Sequence, residues 1–302
     1  MAEATATEPR THEYHAEAKA LHGELHRPFK QVITPQALAQ LHPAGGYLDQ
    51  DGEAFGAERA ITYDSAYTHV SGSLETKPGG GWCTLSTCAV VNLNILEVLT
   101  ADRIVAQVFT EHPLVGYVPR ISFLATRFEN LRIAGHKVEL DLDLHILGGK
   151  PGGDGAYSRH PELLKNLRDH SERICGYEAL PSAARERYTD LPKKIVETTY
   201  TGEAGTGETK ETEVLECSLV TSSRGSFPGR SFGHVIHVPD FGDIYLATVK
   251  VTHEDFHHGI PHITTVELTM VETKLGCAAT GTANAGVCVT NGNTKPPSGS
   301  GG

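Results

Sequence analysis

The chain has 302 residues, with Lys+Arg 26 against Asp+Glu 37, so its formal net charge is −11 with neutral histidine. A hydrophobic fraction of 39% supplies enough apolar material for a core and excludes wholesale disorder. The acidic balance argues against a nucleic-acid binder, which needs a basic surface for phosphate. No stretch approaches the ~18 apolar residues of a membrane span.

Residues 1–30 are polar and charged, with no basic stretch leading into an apolar one. They do not read as a secretory signal, so the expected location is cytoplasmic, with a surface or extracellular one as the alternative. Residues 11–27 read as a helix. His12, His15, His22 and His26 share one face, Tyr14, Ala18, Leu21 and Leu25 form an adjoining apolar one, and Pro28 stops it. Residues 1–44 are therefore expected to form a helical arm.

From Tyr47 the period changes to two. In VELDLDLHIL, Leu140, Leu142 and Leu144 face one way, while Glu139, Asp141, Asp143 and His145 face the other. Residues 148–195 interrupt the strands. A glycine-rich loop, GGKPGGDG, leads into PELLKNLRDHSERICGYEAL and PSAARERY, two helices each opened by proline. Residues 196–213 are rich in Thr, Gly and Glu and are expected to be a loose connection. Strands resume at VLECSLVTS and close with ITTVELTMVETKLG. Residues 277–302 consist of small residues without a period and read as a flexible tail.

The expected fold is thus mainly β, an antiparallel β-sandwich or barrel with an N-terminal helix and a small helical insertion. Residues 45–276 would be a single β domain, with the insertion at about 148–195.

The six cysteines, Cys83, Cys88, Cys175, Cys217, Cys277 and Cys288, match no zinc-ribbon spacing and read as free thiols. The 17 histidines read as mostly exposed; protonating all of them would carry the formal charge from −11 to +6.

Several patterns bear on chemistry. GGKPGGDG lacks the GK[ST] ending of a phosphate loop. GRSFG, with Ser231 at its centre, matches a nucleophile elbow in letters, but a strand and not a helix follows it. HEDFH matches H-E-x-x-H, in which His253 and His257 would bind zinc, joined by His262, and Glu254 would polarise the attacking water. The strands on either side make 253–262 a hairpin connection instead. Carboxylates at Glu139, Asp141 and Asp143 lie about 7 Å apart on a strand and read as a solvated face. Arg127 and Glu129 share a strand face and form an ion pair or an acid–base pair. Asn92 and Asn94 share a face of an apolar strand, where they either position a ligand or bond to neighbouring strands.

At ADRIVAQV, FENLRIAGHKVEL, HVIHVPDFGDIYLATVKV and VELTMVETKLG the chain resembles bacterial choice-of-anchor P-type domains, over about half its length. The resemblance implies a surface-associated all-β module without an assigned reaction. It implies no catalytic residues.

The sequence therefore points to a non-enzymatic binding or structural β domain. Asn92, Asn94, Arg127 and Glu129 are the candidate ligand-binding residues, and no cofactor is expected. The partner would be an unidentified ligand or protein, with self-association left open. The alternative is a zinc-dependent hydrolase using His253, His257 and His262 as ligands and Glu254 as base.

Overall fold

The computed structural model describes residues 11–27, 30–58, 60–77, 80–152, 155–200, 207–276 and 279–295. Antiparallel strands dominate, with helices confined to one insertion among the described residues. In the first large sheet the strands run in the order Lys193–Tyr200, Gly207–Ser218, Gly242–His257, Ile260–Gly276, Thr280–Lys295, Thr11–Arg27 and Gln31–Gln36. The second sheet is a meander of Gly46–Gly52, Ser65–Leu74, Gly81–Ile95 and Leu99–Pro113. The short strands Arg120–Phe123 and Arg127–Glu129 pair with the last of these.

Residues 11–27 are a strand and not the expected helix. They pair with Thr280–Lys295 along almost their full length. The reason is visible in the buried positions. Tyr14, Ala16, Ala18 and Ala20 face the core, and then Leu21 and Leu25 do. The strand changes the face it buries between Ala20 and Leu21, where the pairing register passes over Ala20 and Gly286. Its neighbours do the same at Leu246–Ala247 and Met270–Val271, with Ala247 at φ 46° and Gly286 at φ 65°. A period of two that changes parity once yields Tyr14, Ala18, Leu21 and Leu25, spaced four, three and four, which imitates a helix.

The C-terminal segment is likewise no tail over its described part. Thr280–Lys295 is an interior strand with Ile260–Gly276 on one side and Thr11–Arg27 on the other. Its small residues set the distance between the sheets. The Cys288 thiol donates to the Ala106 carbonyl of the second sheet at 3.5 Å, and the Cys88 thiol donates to the Lys19 carbonyl of the first at 3.4 Å. The Ser86 hydroxyl reaches the Glu17 carbonyl at 2.8 Å. Side chains that touch the facing backbone bring the sheets closer than the usual ~10 Å. Ala16, Ala18, Ala106 and Ala285 allow it, all within one core shared by both sheets.

The expected loose segment 196–213 is a hairpin over its described residues: Lys193–Tyr200 pairs with Gly207–Ser218, which pairs in turn with Gly242–His257. Residues 201–206 lie outside the described set.

The insertion forms helices α1 (Pro161–Cys175) and α2 (Ser182–Tyr188), with proline at the start of α1 as its sequence suggests. Its Tyr157, Leu163 and Leu167 join the core between the sheets, whereas Ile174, Leu180, Ala184 and Tyr188 pack on Phe232, Val235 and Tyr245 as a satellite cluster. Arg187 fastens this second part. Its guanidinium pairs with Glu216 and, at 2.8 Å, with Glu272, and lies 4.6 Å from the Tyr245 ring centroid.

The histidines depart from the exposed, ordinary set expected. Burial pushes His12, His22, His170 and His253 down to about 4, and His112 down to about 3. His234, fully enclosed beside His170, is held well below its usual range by burial. Its Nε2 lies 2.7 Å from the Tyr188 hydroxyl.

Candidate functional site

The second sheet turns one face to the core, through Thr68, Val70, Ser86, Cys88, Ala106 and Val108. Because side chains alternate, the odd-numbered positions of the same strands lie on the outer face. The register places them in rows. Tyr47 stands beside Ser71, Leu85 and Phe109; Asp49 beside His69, Thr87 and Gln107; and Asp51 beside Tyr67, Ala89, Val105 and Arg127.

Asp49 organises this face. One carboxylate oxygen, Oδ1, accepts from the Tyr67 hydroxyl at 2.6 Å and from His69 Nδ1 at 2.7 Å. These bonds hold the Asp49 carboxyl below its usual range and push the Tyr67 phenol up to about 12. A carboxylate only accepts, so His69 donates from Nδ1. Next in the row, the Gln107 amide donates to Thr87 Oγ1 at 3.0 Å. Tyr47, on the outermost strand, is 77% exposed, and Tyr67 is 41% exposed. From strand rise, the rows of Tyr47 and Tyr67 are about 14 Å apart, with the Asp49–His69 row between them.

The residues singled out in the sequence are dispersed. Asn92, at φ 53°, donates to Asp64 at 2.7 Å, and Asn94 accepts from the Glu97 amide at 2.8 Å. Asn94 closes the turn after their strand, whereas Asn92 lies within the strand and ties it to the bend that precedes Ser65–Leu74. Arg127 donates to Glu129 at 2.8 Å. This pair borders the outer face just described, and Arg127 also lines a cleft of about 290 Å3 with Lys137 and Glu139.

His253 and Glu254 are consecutive on the Gly242–His257 strand and so point to opposite sides. His253 is buried. Its Nε2 accepts from the Tyr157 amide at 3.0 Å, which leaves the proton on Nδ1 to be donated to Thr264 Oγ1 at 3.0 Å. Beside it Ser158 donates to the buried Glu213. Burial raises the Glu213 carboxyl, but the bonds from Ser158 and Lys194 outweigh it and the net shift is downward. Glu254 pairs with Lys210 at 3.0 Å. The His262 ring stacks on Tyr117 with centroids 4.1 Å apart, 3.7 Å from Asp255. His257 lies on the same strand, near its turn; its side chain is outside the described set. Among the described residues no group of three or more His, Cys, Asp and Glu side chains is arranged to hold a metal ion. Ser231 lies on a short strand, 2.5 Å from the Ser223 hydroxyl, with no nucleophile-elbow turn around it.

The outer-face set was missed in the sequence. Its signal was the alternation Ser65, Tyr67, His69, Ser71, in which the polar half of a strand carries the chemistry.

Among the described residues no helix is long and apolar enough to cross a membrane. Comparison with solved structures finds similarity to the crystal structure of a beta-barrel-like protein of a domain of unknown function, DUF1849, from Brucella abortus. The identity is 8%, over 94% of this chain and 98% of that one, with a TM-score of 0.17. No curated protein matches. The choice-of-anchor resemblance, drawn from short strand motifs, extends no further than the all-β class. The family that matches covers residues 12–252, and the chain belongs to it: a domain of unknown function, DUF8256.

Proposed function

We propose that the chain is a non-catalytic binding domain whose ligand lies along the outer face of the second sheet. The observation that supports this reading is the Tyr67–Asp49–His69 arrangement, in which one carboxylate fixes a phenol and an imidazole on rigid strands beside the exposed ring of Tyr47. Residues held on sheet strands lose little further freedom when a ligand arrives. Two aromatic rings flanking a row of carboxylate, imidazole, hydroxyl and amide suit a ligand with apolar faces and a polar rim. A chain of sugar rings is the simplest of that kind: C–H faces lie on the tyrosines and hydroxyls meet Asp49, His69 and Gln107. Arg127 bounds the face at its far edge.

The test is calorimetric titration of the full chain with a panel of soluble oligosaccharides, with reducing ends assayed afterwards. The expected result is binding without turnover, weakened at least 10-fold in the Tyr47→Ala/Tyr67→Ala variant while the melting temperature holds. Absence of binding across the panel, or undiminished binding by the double variant, overturns this reading.

A further inference from the structure

The first sheet ends at Lys193–Tyr200, which pairs on one side with Gly207–Ser218. Among the described residues no strand pairs with its other side, which leaves a row of backbone N–H and C=O groups for another strand. The middle of this edge is aliphatic on both faces: Ile195 is 45% exposed and Val196 62%. Its charges are ordered, with Lys193 and Lys194 at one end and Glu197 at the other. Lys194 is engaged within the chain, 2.9 Å from Glu213 and 3.4 Å from Glu211. Lys193 lies on the opposite face, where its ammonium donates to a backbone oxygen, that of Glu186, at 2.8 Å. Glu197, exposed on that same face, stands opposite Lys210, whose ammonium pairs with Glu254 at 3.0 Å.

We propose that this edge joins a second copy of the chain, the two Lys193–Tyr200 strands pairing antiparallel about a two-fold axis at Ile195. Side chains directly opposite each other in an antiparallel pair share a face, so a symmetric pair centres on a residue. Centred at Ile195, it sets Ile195 against Ile195 and each Lys193 against the Glu197 of the other copy. On the other face each Lys194 stands beside a Val196. Extended through the Gly207–Ser218 strands of both copies, the rows read Val214, Lys193, Glu197, Lys210 on one face and Glu213, Lys194, Val196, Glu211 on the other. No like charges adjoin in either row, and opposite charges do in both. Centring at Lys194 would oppose lysine to lysine, and centring at Val196 would part Lys193 from Glu197. Lysines on an edge repel most incoming strands. The strand they admit is one that brings an acid to the same place, and a second copy brings Glu197. Pairing ends at Pro192, which has no N–H. There the edge borders an open cleft of about 860 Å3 against α2, which leaves room for the other copy's strand to run on past its Glu197. This surface belongs to the first sheet and uses no residue of the outer face of the second, so each proposal stands or falls alone.

Sedimentation velocity of the full chain, from the micromolar range to several hundred micromolar, tests it. A reversible monomer–dimer equilibrium is expected. Lys193→Glu alone and Glu197→Lys alone each turn both cross-strand pairs into like charges, and should weaken dimerisation about 10-fold or more. The two changes in one chain should restore the dimer. Mixing the two single variants should restore it as well, because each cross-strand pair then joins opposite charges again. Both positions are exposed or half-exposed, and an unchanged melting temperature in the micromolar range confirms the fold. A chain that stays monomeric throughout, single variants that dimerise like wild type, or a mixture that stays monomeric overturns the proposal.

Discussion

His253 Nε2 accepts the backbone N–H of Tyr157 at 3.0 Å, joining residues 96 apart in sequence. Through this bond the helical insertion is seated on the inner side of the first sheet. The Thr264 hydroxyl takes up the other ring nitrogen at 3.0 Å, so the imidazole is held as a neutral ring with both nitrogens occupied. The same ring is the first histidine of the H-E-x-x-H match, and its neighbour Glu254 lies on the opposite face in an ion pair with Lys210.

The two residues should therefore respond differently to substitution. His253→Ala leaves the Tyr157 amide and the Thr264 hydroxyl without this partner in a buried place, and should cost about 2–4 kcal/mol. Glu254→Gln disturbs a partly exposed ion pair and should stay within about 0.5 kcal/mol. Urea unfolding of both variants measures the contrast. A strong zinc chelator should leave the wild-type melting temperature where it was. A fall that zinc reverses would instead put His253, with His257 and His262, on a metal.

Acid should destabilise the fold well before the carboxylates titrate. In the folded chain His170 and His253 hold out against protonation to about pH 4 and His112 to about pH 3, in each case through burial. In the unfolded chain they take a proton near pH ~6.5. Between these limits the unfolded state binds more protons, so stability is full above about pH 6.5 and falls as pH drops towards 4. At pH 5 each ring contributes a loss of roughly 2 kcal/mol, and together they rival a typical net stability of about 5–15 kcal/mol. Melting curves from pH 7 to 4.5 should show a steep drop below pH 6. A flat profile to pH 4.5 would refute the assignment of these rings as buried and neutral.

Arg187 carries the other attachment of the insertion. Its removal leaves Glu216 and Glu272, both mostly buried, facing each other without their shared cation. Arg187→Ala should cost about 3–5 kcal/mol, as expected when one member of a buried ionic group is deleted. Arg187→Lys should recover only part, because an ammonium cannot serve two carboxylates in a plane while covering the Tyr245 ring. Chemical denaturation of both variants, followed by far-UV circular dichroism, gives the ranking. Equal losses in the two would mean that charge alone, and not the planar fork, holds the contact.

How much of this could be read beforehand depends on how local the cause was. Period-two runs such as Glu139–Leu142 and proline at the start of α1 are local, and both elements stand where the sequence puts them. The strand Thr11–Arg27 was hidden because its partner, Thr280–Lys295, lies at the other end of the chain and because its buried side changes at Ala20–Leu21. The alanines and glycines of the C-terminal strand looked like a tail; their smallness answers to the closeness of the facing sheet, which only the tertiary structure reveals. The proposed binding face was obscured for another reason. Tyr67, Asp49 and His69 meet only once two strands are in register, and each alone is an ordinary polar residue of an outer sheet face.

Gly292 offers the sharpest test of the packing around His12 and His112. A methyl group there would run into the His12 ring and lie 2.6 Å from His112 Cε1. Those two rings have centroids 4.8 Å apart, and His12 stacks on Trp82 at 5.0 Å, so none of the three can yield alone. Gly292→Ala should destabilise by about 1–3 kcal/mol, the usual range for overpacking a filled site, despite the small entropic gain of replacing glycine. Trp82 is the chain's single tryptophan, so its emission should shift with the displaced imidazole. Gly56→Ala is the control: the nearest atom to a methyl there is Thr62 Cγ2 at 3.6 Å, an ordinary contact. That variant should match wild type in both stability and emission. Wild-type behaviour in Gly292→Ala as well would show that the His12–His112–Trp82 stack is loose enough to accept a methyl group, and would remove the packing argument for both rings staying neutral.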